Sequence, residues 1–449
     1  MSIQQDLRPF VKSIEHLFSK EYLRKTAKET GFVKRIRSFK PEDFFMLCTL
    51  FDQSIAVKSL GKICASLSHF SSTKVSKQAL DQRFTPEATT FLNKMFQDLA
   101  VQQNWLTVPL DMDKLFSRIL IQDSTEIDLA GTHQDYPSAN GSGAKIQFEY
   151  EFYSGMFTQL FIESGLDPDQ KAAVPVEKDL RPGDLCLRDL GYFSADNIKA
   201  IDQKKAYYLL RLPSHVSIWQ QDDQTDQWLR LDPVALGEQL SPGETTEFAS
   251  LKIGAKKTQS FFARVIIQKL TPEQQAKREQ TLHKKRQKGR STQSAKQRNS
   301  IQILVTNISQ EMIDSQGLYA LYSLRWQIEI LFKTWKSHFT IHENKEIKKE
   351  RLECHLYGTL IRILLSSMLA FQCRYFLFKK EKFEASEYKS IGFAKEALLP
   401  LAHSLSHRAQ SVLDILLTVY QNVSKNGRKD HRHRHDTPFD ILGVQYEPK

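Results

Sequence analysis

At 449 residues the chain has room for several domains at roughly 100–200 residues each, and its 41% hydrophobic and 10% aromatic content excludes disorder throughout or a collagen-like rod. Lysine and arginine outnumber aspartate and glutamate by 63 to 52, a net charge of +11 that favours a polyanionic partner. Five cysteines without a CxxC pair exclude a disulfide framework and a zinc ribbon, and point to a reducing compartment. Residues 1–20 mix Asp6, Arg8, Lys12 and Glu15 with apolar positions, unlike a signal peptide. The longest charge-free apolar run, Ile363 to Cys373, is too short for a membrane span, so the expectation is a soluble protein without a membrane partner.

The first segment, 1–113, is expected to be helical and to bind DNA. Phe44, Phe45, Leu47, Leu50 and Phe51 recur at helical spacing behind Pro41-Glu42-Asp43. Ser59 to Phe70 and Val75 to Phe84 read as two short helices around a polar break, the second opening at Ser76 with Lys77, Gln78 and Arg83 outward. That pattern suits a helix-turn-helix, and equally an ordinary helical hairpin. From about Lys114 the period shortens. Phe116 to Asp123 reads as a strand ending in an acid, Lys145 to Phe152 alternates apolar and polar, Ser154-Gly155 is a tight turn, and Met156 to Ile162 follows as a third strand. Leu185 to Asp189 is a further strand ending in an acid; a helix from Ser194 through Ile201 and a strand Tyr207 to Arg211 complete a mixed α/β half, 114–211.

Segment 212–300 is β-rich, with pieces such as Val216 to Trp219 and Phe261 to Ile267, and it ends in a basic stretch from Lys277 to Arg298 that includes Lys284, Lys285 and Arg286. Such a run is expected to be a solvated, partly disordered arm whose charge suits phosphate contacts. Segment 301–378 returns to a strand, Ile301 to Thr306, then one continuous helix from Ser315 to His338 and a long apolar helix over Leu352 to Phe378. Segment 379–449 is helical, broken at Pro400, with a leucine stripe (Leu398, Leu401, Leu405, Val412, Leu416) and a basic tail holding His431, His433 and His435. No internal repeat and no GxxxxGK[ST] phosphate loop is present.

Three acids stand out. Asp123 and Asp189 each end a strand, and Glu329 lies in the helix expected over 315–338. On a helical wheel with Tyr322 at zero, Arg325 falls at roughly −60°, Glu329 at roughly −20° and Lys336 at roughly −40°, one narrow polar stripe beside an apolar face of Leu324, Ile328, Leu331, Phe332 and Trp335. An ordinary surface helix with an Arg–Glu pair explains two of these residues but not the two strand-end aspartates. Cutting a phosphodiester and joining its 3′ oxygen elsewhere needs an activated oxygen nucleophile and a stabilised leaving oxygen, which two magnesium ions about 3.5–4 Å apart supply. Hard cations take carboxylate oxygens, so a few acids suffice, and Arg325 and Lys336 suit a neighbouring phosphate.

Tyr322-x2-Arg325-x3-Glu329-x6-Lys336 resembles the signature of the DDE transposases of bacterial insertion sequences in the IS-four family. Asp123-Ser124-Thr125 is similar to that family's first catalytic block, and Asp189-Leu-Gly-Tyr-Phe193 to its second. The resemblance implies an α/β fold with a ribonuclease-H-like catalytic core interrupted by the β-rich insertion and flanked by the helical N- and C-terminal regions. It implies that Asp123, Asp189 and Glu329 bind two divalent ions, magnesium or manganese, while Tyr322, Arg325 and Lys336 contact DNA. Cut-and-paste transposition in the bacterial cytoplasm, at the nucleoid, follows. A homodimer would pair two terminal inverted repeats, form a DNA hairpin and join the element to target DNA. Some relatives use an insertion tryptophan to stack a flipped base; neither Trp219 nor Trp228 aligns with it, and both read as core aromatics.

Glu126, Asp128, Asp135, Asp184 and Asp196 read as turn or cap residues, and His133 as an ordinary loop histidine. Two rival functions fit less well: a metal-dependent, structure-selective nuclease that cuts without joining, and a DNA-binding regulator without catalysis, against which the intact acidic trio argues. Neutralising Lys284, Lys285 and Arg286 is expected to flatten the salt dependence of DNA binding by ~0.9 in log–log slope for each phosphate that the arm no longer touches. An unchanged slope would take the basic arm out of the interface.

Overall fold

The computed structural model describes residues 3–35, 39–51, 55–71, 73–106, 110, 114–139, 141–176, 179–222, 224–254, 260–287, 299–407, 410–429 and 436–445. Within them the chain begins with helices α1 (Ile3–Leu17), α2 (Lys20–Glu29), α3 (Pro41–Thr49), α4 (Leu60–Phe70), α5 (Lys77–Asp81) and α6 (Pro86–Leu106). Strands β1 (Ile119–Asp128), β2 (Pro137–Ser138), β3 (Gly141–Glu151) and β4 (Phe157–Ser164) come next, then α7 (Asp169–Val176), β5 (Leu185–Arg188), α8 (Ala195–Gln203) and β6 (Tyr207–Arg211). The middle of the chain forms β7 (Ile218–Gln221), β8 (Trp228–Leu231), α9 (Pro233–Glu238), β9 (Thr245–Gly254), β10 (Ser260–Lys269), α10 (Pro272–Gln287) and β11 (Ile301–Thr306). Helices complete the chain: α11 (Ser315–Ser323), α12 (Trp326–Ser337), α13 (Lys349–Glu381), α14 (Glu387–Glu396), α15 (Leu398–His407), α16 (Val412–Asn426) and α17 (Pro438–Ile441).

Serine and aspartate caps place the helix starts where side-chain oxygens can take up free backbone N–H groups: Ser19 Oγ accepts from Tyr22, Ser76 Oγ from Ala79, and Asp314 Oδ1 from Gly317. The chain divides into two compact units. One comprises Met1–Asp113, Ser124–Asp167 and Gln327–Lys449; the other comprises Lys114–Asp123 and Pro168–Trp326.

The first unit is built around α13, whose 33 residues span about 50 Å at 1.5 Å per residue. Its neighbours are α3, α6, α14 and α16, and leucine, isoleucine and phenylalanine fill nearly every face. By length and composition this helix could cross a membrane, but its most apolar window is 94% buried within the protein, which is the pattern of a core helix. Two of its buried cations donate to backbone carbonyls: Arg351 to Ile55 O and Lys58 O at 2.8 and 2.5 Å, and Arg374 to Phe152 O and Tyr153 O at 2.7 and 2.8 Å. Antiparallel β3 and β4 turn at Gly155 (φ +74°), where any Cβ would lie within 2.1 Å of the Phe371 ring. Phe148 of β3 packs 4.8 Å from the Trp335 ring of α12.

The second unit is a mixed sheet. β1, β5 and β6 are parallel; β11 runs antiparallel to β6, and β10, β9, β7 and β8 continue outward as antiparallel neighbours. Leu120, Cys186, Tyr208, Val265, Ile303 and Val305 form its core with Ile198 and Ile201 of α8.

Several expectations change. Asp123 lies inside β1, not at its end, because the strand continues to Asp128. The helix expected over 315–338 is two: Leu324 and Arg325 donate to carbonyls three residues back, at Leu321 and Tyr322, and the helical path is interrupted before α12 begins at Trp326. The second helix of the helix-turn-helix pattern, α5, has only five residues. The basic stretch is helical to Gln287 rather than irregular, and its remainder, 288–298, lies outside the described residues. Pro400 falls in the first turn of α15, where its missing N–H costs no helical bond, and the break precedes it at Ala397.

Gly358 of α13 faces α3 so closely that a Cβ would sit 2.2 Å from Cys48 O. Gly358→Ala is therefore expected to destabilise the first unit by about 1–3 kcal/mol, read as a lowered melting temperature by circular dichroism. An unchanged melting temperature would mean the helices separate without cost.

Candidate active site

The parallel pairing of β1, β5 and β6 sets the site. Gln122 is in register with Arg188, and Arg188 with Leu210, so the residues one step further, Asp123, Asp189 and Arg211, follow side by side at the carboxyl ends of β5 and β6. Adjacent strands lie about 4.8 Å apart and in-register residues share a face, which brings the three charged side chains together. Ligands of open α/β sheets collect at this end of the strands. Asp189 leaves β5 in an extended conformation and opens the 3₁₀ turn Leu190–Tyr192.

Two residues of the tyrosine-to-lysine motif meet these aspartates. Arg325 Nη1 donates to Asp123 Oδ2 at 2.8 Å, and the Tyr322 hydroxyl donates to Asp189 Oδ1 at 3.4 Å. Both side chains are buried, and the Arg325 guanidinium lies 5.4 Å from the ring of Trp326, which is 57% exposed. Burial is the largest influence on Asp189 and opposes its ionisation. The charges of Arg325 and Arg211, the Leu190 N–H and the Tyr322 hydroxyl together outweigh it and hold the carboxyl below its ordinary value. Burial, and next the Asp189 charge, push the Tyr322 phenol well up, so it stays protonated at neutral pH and serves as a donor. Arg211 is not singled out by the sequence alone. It ends the third strand of a series whose second ends in Asp189, but only the register shows that it is a neighbour.

Glu329 and Lys336 lie in the first and last turns of α12 and are half-buried; both belong to the first unit, whereas Tyr322 and Arg325 belong to the second. The helical-wheel stripe therefore does not describe these four residues, because the helix is interrupted at Leu324 and Arg325, between Tyr322 and Glu329. Lys284, Lys285 and Arg286 fall on α10, but their side chains lie outside the described residues, as do His431, His433 and His435. Asp184 is a turn residue with more to do: it is fully buried and receives Arg118 Nε at 2.9 Å, tying the start of β1 to that of β5. His133 is a buried loop residue whose backbone N–H donates to Ser142 Oγ. Trp219 is anchored by its indole N–H to Gly254 O at 2.9 Å, and Trp228 packs beside Phe262 with the Lys252 ammonium 4.9 Å from its ring.

Among the described residues, no three histidine, cysteine, aspartate or glutamate side chains stand close enough to hold a metal ion. The donor chemistry at the strand ends nevertheless fits a hard divalent cation: Asp123 and Asp189 offer carboxylate oxygens, and Asp189 is held ionised. In this arrangement Arg325 takes the Asp123 oxygen that such a cation would need.

Comparison with known proteins agrees with this chemistry. The family model described as "Transposase DDE domain" matches residues 114–365. The transposase of insertion sequence element IS231F from Bacillus thuringiensis subsp. israelensis is 35% identical over 100% of this chain and 97% of its own length. That of IS231D from B. thuringiensis subsp. finitimus is 36% identical with the same coverage, and that of IS1151 from Clostridium perfringens is 31% identical over 98% of this chain and 97% of its own.

Since the folded protein keeps Asp189 below its ordinary value of 3.8, this residue stabilises the fold above that pH, and the contribution disappears as pH falls through the folded value. Arg325→Met is expected to raise the Asp189 value and move the acid loss of stability to higher pH, measured as melting temperature against pH. The shift should vanish in an Asp189→Asn background; a shift that survives there would assign the effect to another group.

Proposed function

Because the chain belongs to the DDE transposase family, whose members cut DNA and transfer the cut strands, we propose that it moves an insertion sequence by cut-and-paste, with Asp123, Asp189 and Glu329 as its metal-binding acids. The observation that carries this reading is the pair of contacts from one motif to both aspartates, Arg325 to Asp123 and Tyr322 to Asp189. The part played by Glu329 rests on its place in Tyr322-x2-Arg325-x3-Glu329-x6-Lys336, which we read as the IS-four signature.

Family members normally use divalent metals, and two magnesium ions held by the three acids would polarise the scissile phosphate and activate the attacking oxygen. The protein's own residues prepare that chemistry. Arg325 and Arg211 keep Asp189 ionised, and so able to act as an oxygen ligand, at any pH near neutrality. The Tyr322 hydroxyl orients the Asp189 carboxylate by a donated hydrogen bond. Arg325 is the natural partner of an incoming phosphate: its planar fork can move from the Asp123 carboxylate to phosphate oxygens, releasing Asp123 to its ligand role. Lys336 supplies a second cation for the DNA backbone, and the basic run that includes Lys284, Lys285 and Arg286 is read as a further source of phosphate contacts.

The fold reading is ribonuclease-H-like. Antiparallel strands early in the chain, followed by β5 and β6 parallel to β1, support it, with 212–300 as the insertion between catalytic halves 114–211 and 301–378. Segment 1–113 would bind the terminal inverted repeats and 379–449 would form the C-terminal helical region. A homodimer would hold the two ends together, each copy acting on one.

The test uses duplexes carrying the element's terminal repeats, magnesium and a target plasmid. Wild-type protein is expected to cut at the repeat and join the end to the plasmid. Asp123→Asn and Asp189→Asn should each reduce cutting at least about 10³-fold, equivalent to a barrier about 4 kcal/mol higher, and Arg325→Lys should lose about tenfold because an ammonium cannot reproduce the fork. Retained cutting by Asp189→Ala would remove that residue from the mechanism, and cutting without joining would make the protein a nuclease.

A further inference from the structure

Behind the turn that carries Asp189, a cavity of about 10 Å³ lies between β5 and α8, enough for one atom-sized occupant. Cys186, Arg188, Tyr208 and Leu210 line it from the sheet, Asn197 and Ile201 from the helix, and Asp189 from the turn between them. Arg188 is only 2% exposed, yet none of its three guanidinium nitrogens has a hydrogen-bond partner among the described residues. Asn197 is 6% exposed, and its amide nitrogen likewise lacks one there. A buried guanidinium without a counter-charge is strongly unfavourable, because its hydration is stripped away and not replaced.

These unsatisfied groups share one property: every one is a donor. A cation is therefore the wrong occupant. A water molecule could accept from the guanidinium but would leave its charge uncompensated. Asp189, although consecutive with Arg188, is engaged by Arg325, Arg211 and Tyr322. We infer that this cavity is a binding site for a single monovalent inorganic anion of halide size, held by Arg188 and the Asn197 amide. Asn197 sits in the first turn of α8, where the helix end adds positive potential. The anion neutralises Arg188 and fastens β5 to α8 directly behind Asp189, so its effect is first on the stability of this unit.

The experiment compares thermal unfolding of the full chain in sodium chloride and in sodium gluconate, whose anion is too large for the cavity, at equal ionic strength and pH. Chloride is expected to raise the melting temperature by about 2–4 °C in a saturable manner, with bromide equivalent. A crystal grown in bromide should show an anomalous peak within hydrogen-bond distance of the Arg188 guanidinium. Arg188→Met should abolish the difference between the two salts. Should that variant not fold, Asn197→Asp, which places a fixed negative charge in the cavity, should abolish it as well. Equal melting of the wild-type protein in both salts, or a water without anomalous signal at Arg188, would overturn the inference.

Discussion

The register of three parallel strands is the constraint on which the site depends. With Gln122 opposite Arg188 and Arg188 opposite Leu210, the next step of each strand sets Asp123, Asp189 and Arg211 in a row. A one-residue slip would turn each of these side chains to the other face and bury it in the apolar layer that Leu120, Cys186 and Tyr208 make with α8. The core therefore enforces the register, and the register places the charges. Asp184, buried against Arg118, reinforces the same alignment at the opposite end of β1 and β5.

Charge balance at the strand ends follows from that alignment. Asp123 and Asp189 would repel each other as bare neighbours; Arg325 meets one, and Arg325 with Arg211 acts on the other. Tyr322 adds a donor that burial keeps protonated. Arg325 and Arg211 thus balance the two carboxylates within the free protein. Behind this layer, Arg188 faces the opposite problem, a buried cation whose donors find no partner among the described residues.

The first unit solves its polar accounting differently. α13 is apolar enough to be confused with a membrane span, and two of its arginines are accommodated because backbone carbonyls of other segments receive them. Arg374 also pairs with half-buried Glu387, and Arg362 lies 5.6 Å from the Phe339 ring. These contacts let a core helix carry charge without exposing it.

Local patterns in the sequence were sufficient for the strand of Asp189, the tight turn at Gly155, the serine caps of α5 and α8, and the tyrosine-to-lysine motif that resembles the transposase signature. They sufficed because a strand period, a positive φ and a capping oxygen each act within a few residues. The interruption after Tyr322, the continuation of β1 beyond Asp123, and the helical form of the basic stretch to Gln287 were not legible, since each depends on packing that local propensity does not encode. Arg211 beside Asp189, and the enclosure of Arg188 against α8, were decided only by the tertiary structure: strand pairing brings together residues distant in the chain, and burial alone determines whether a charge is hydrated.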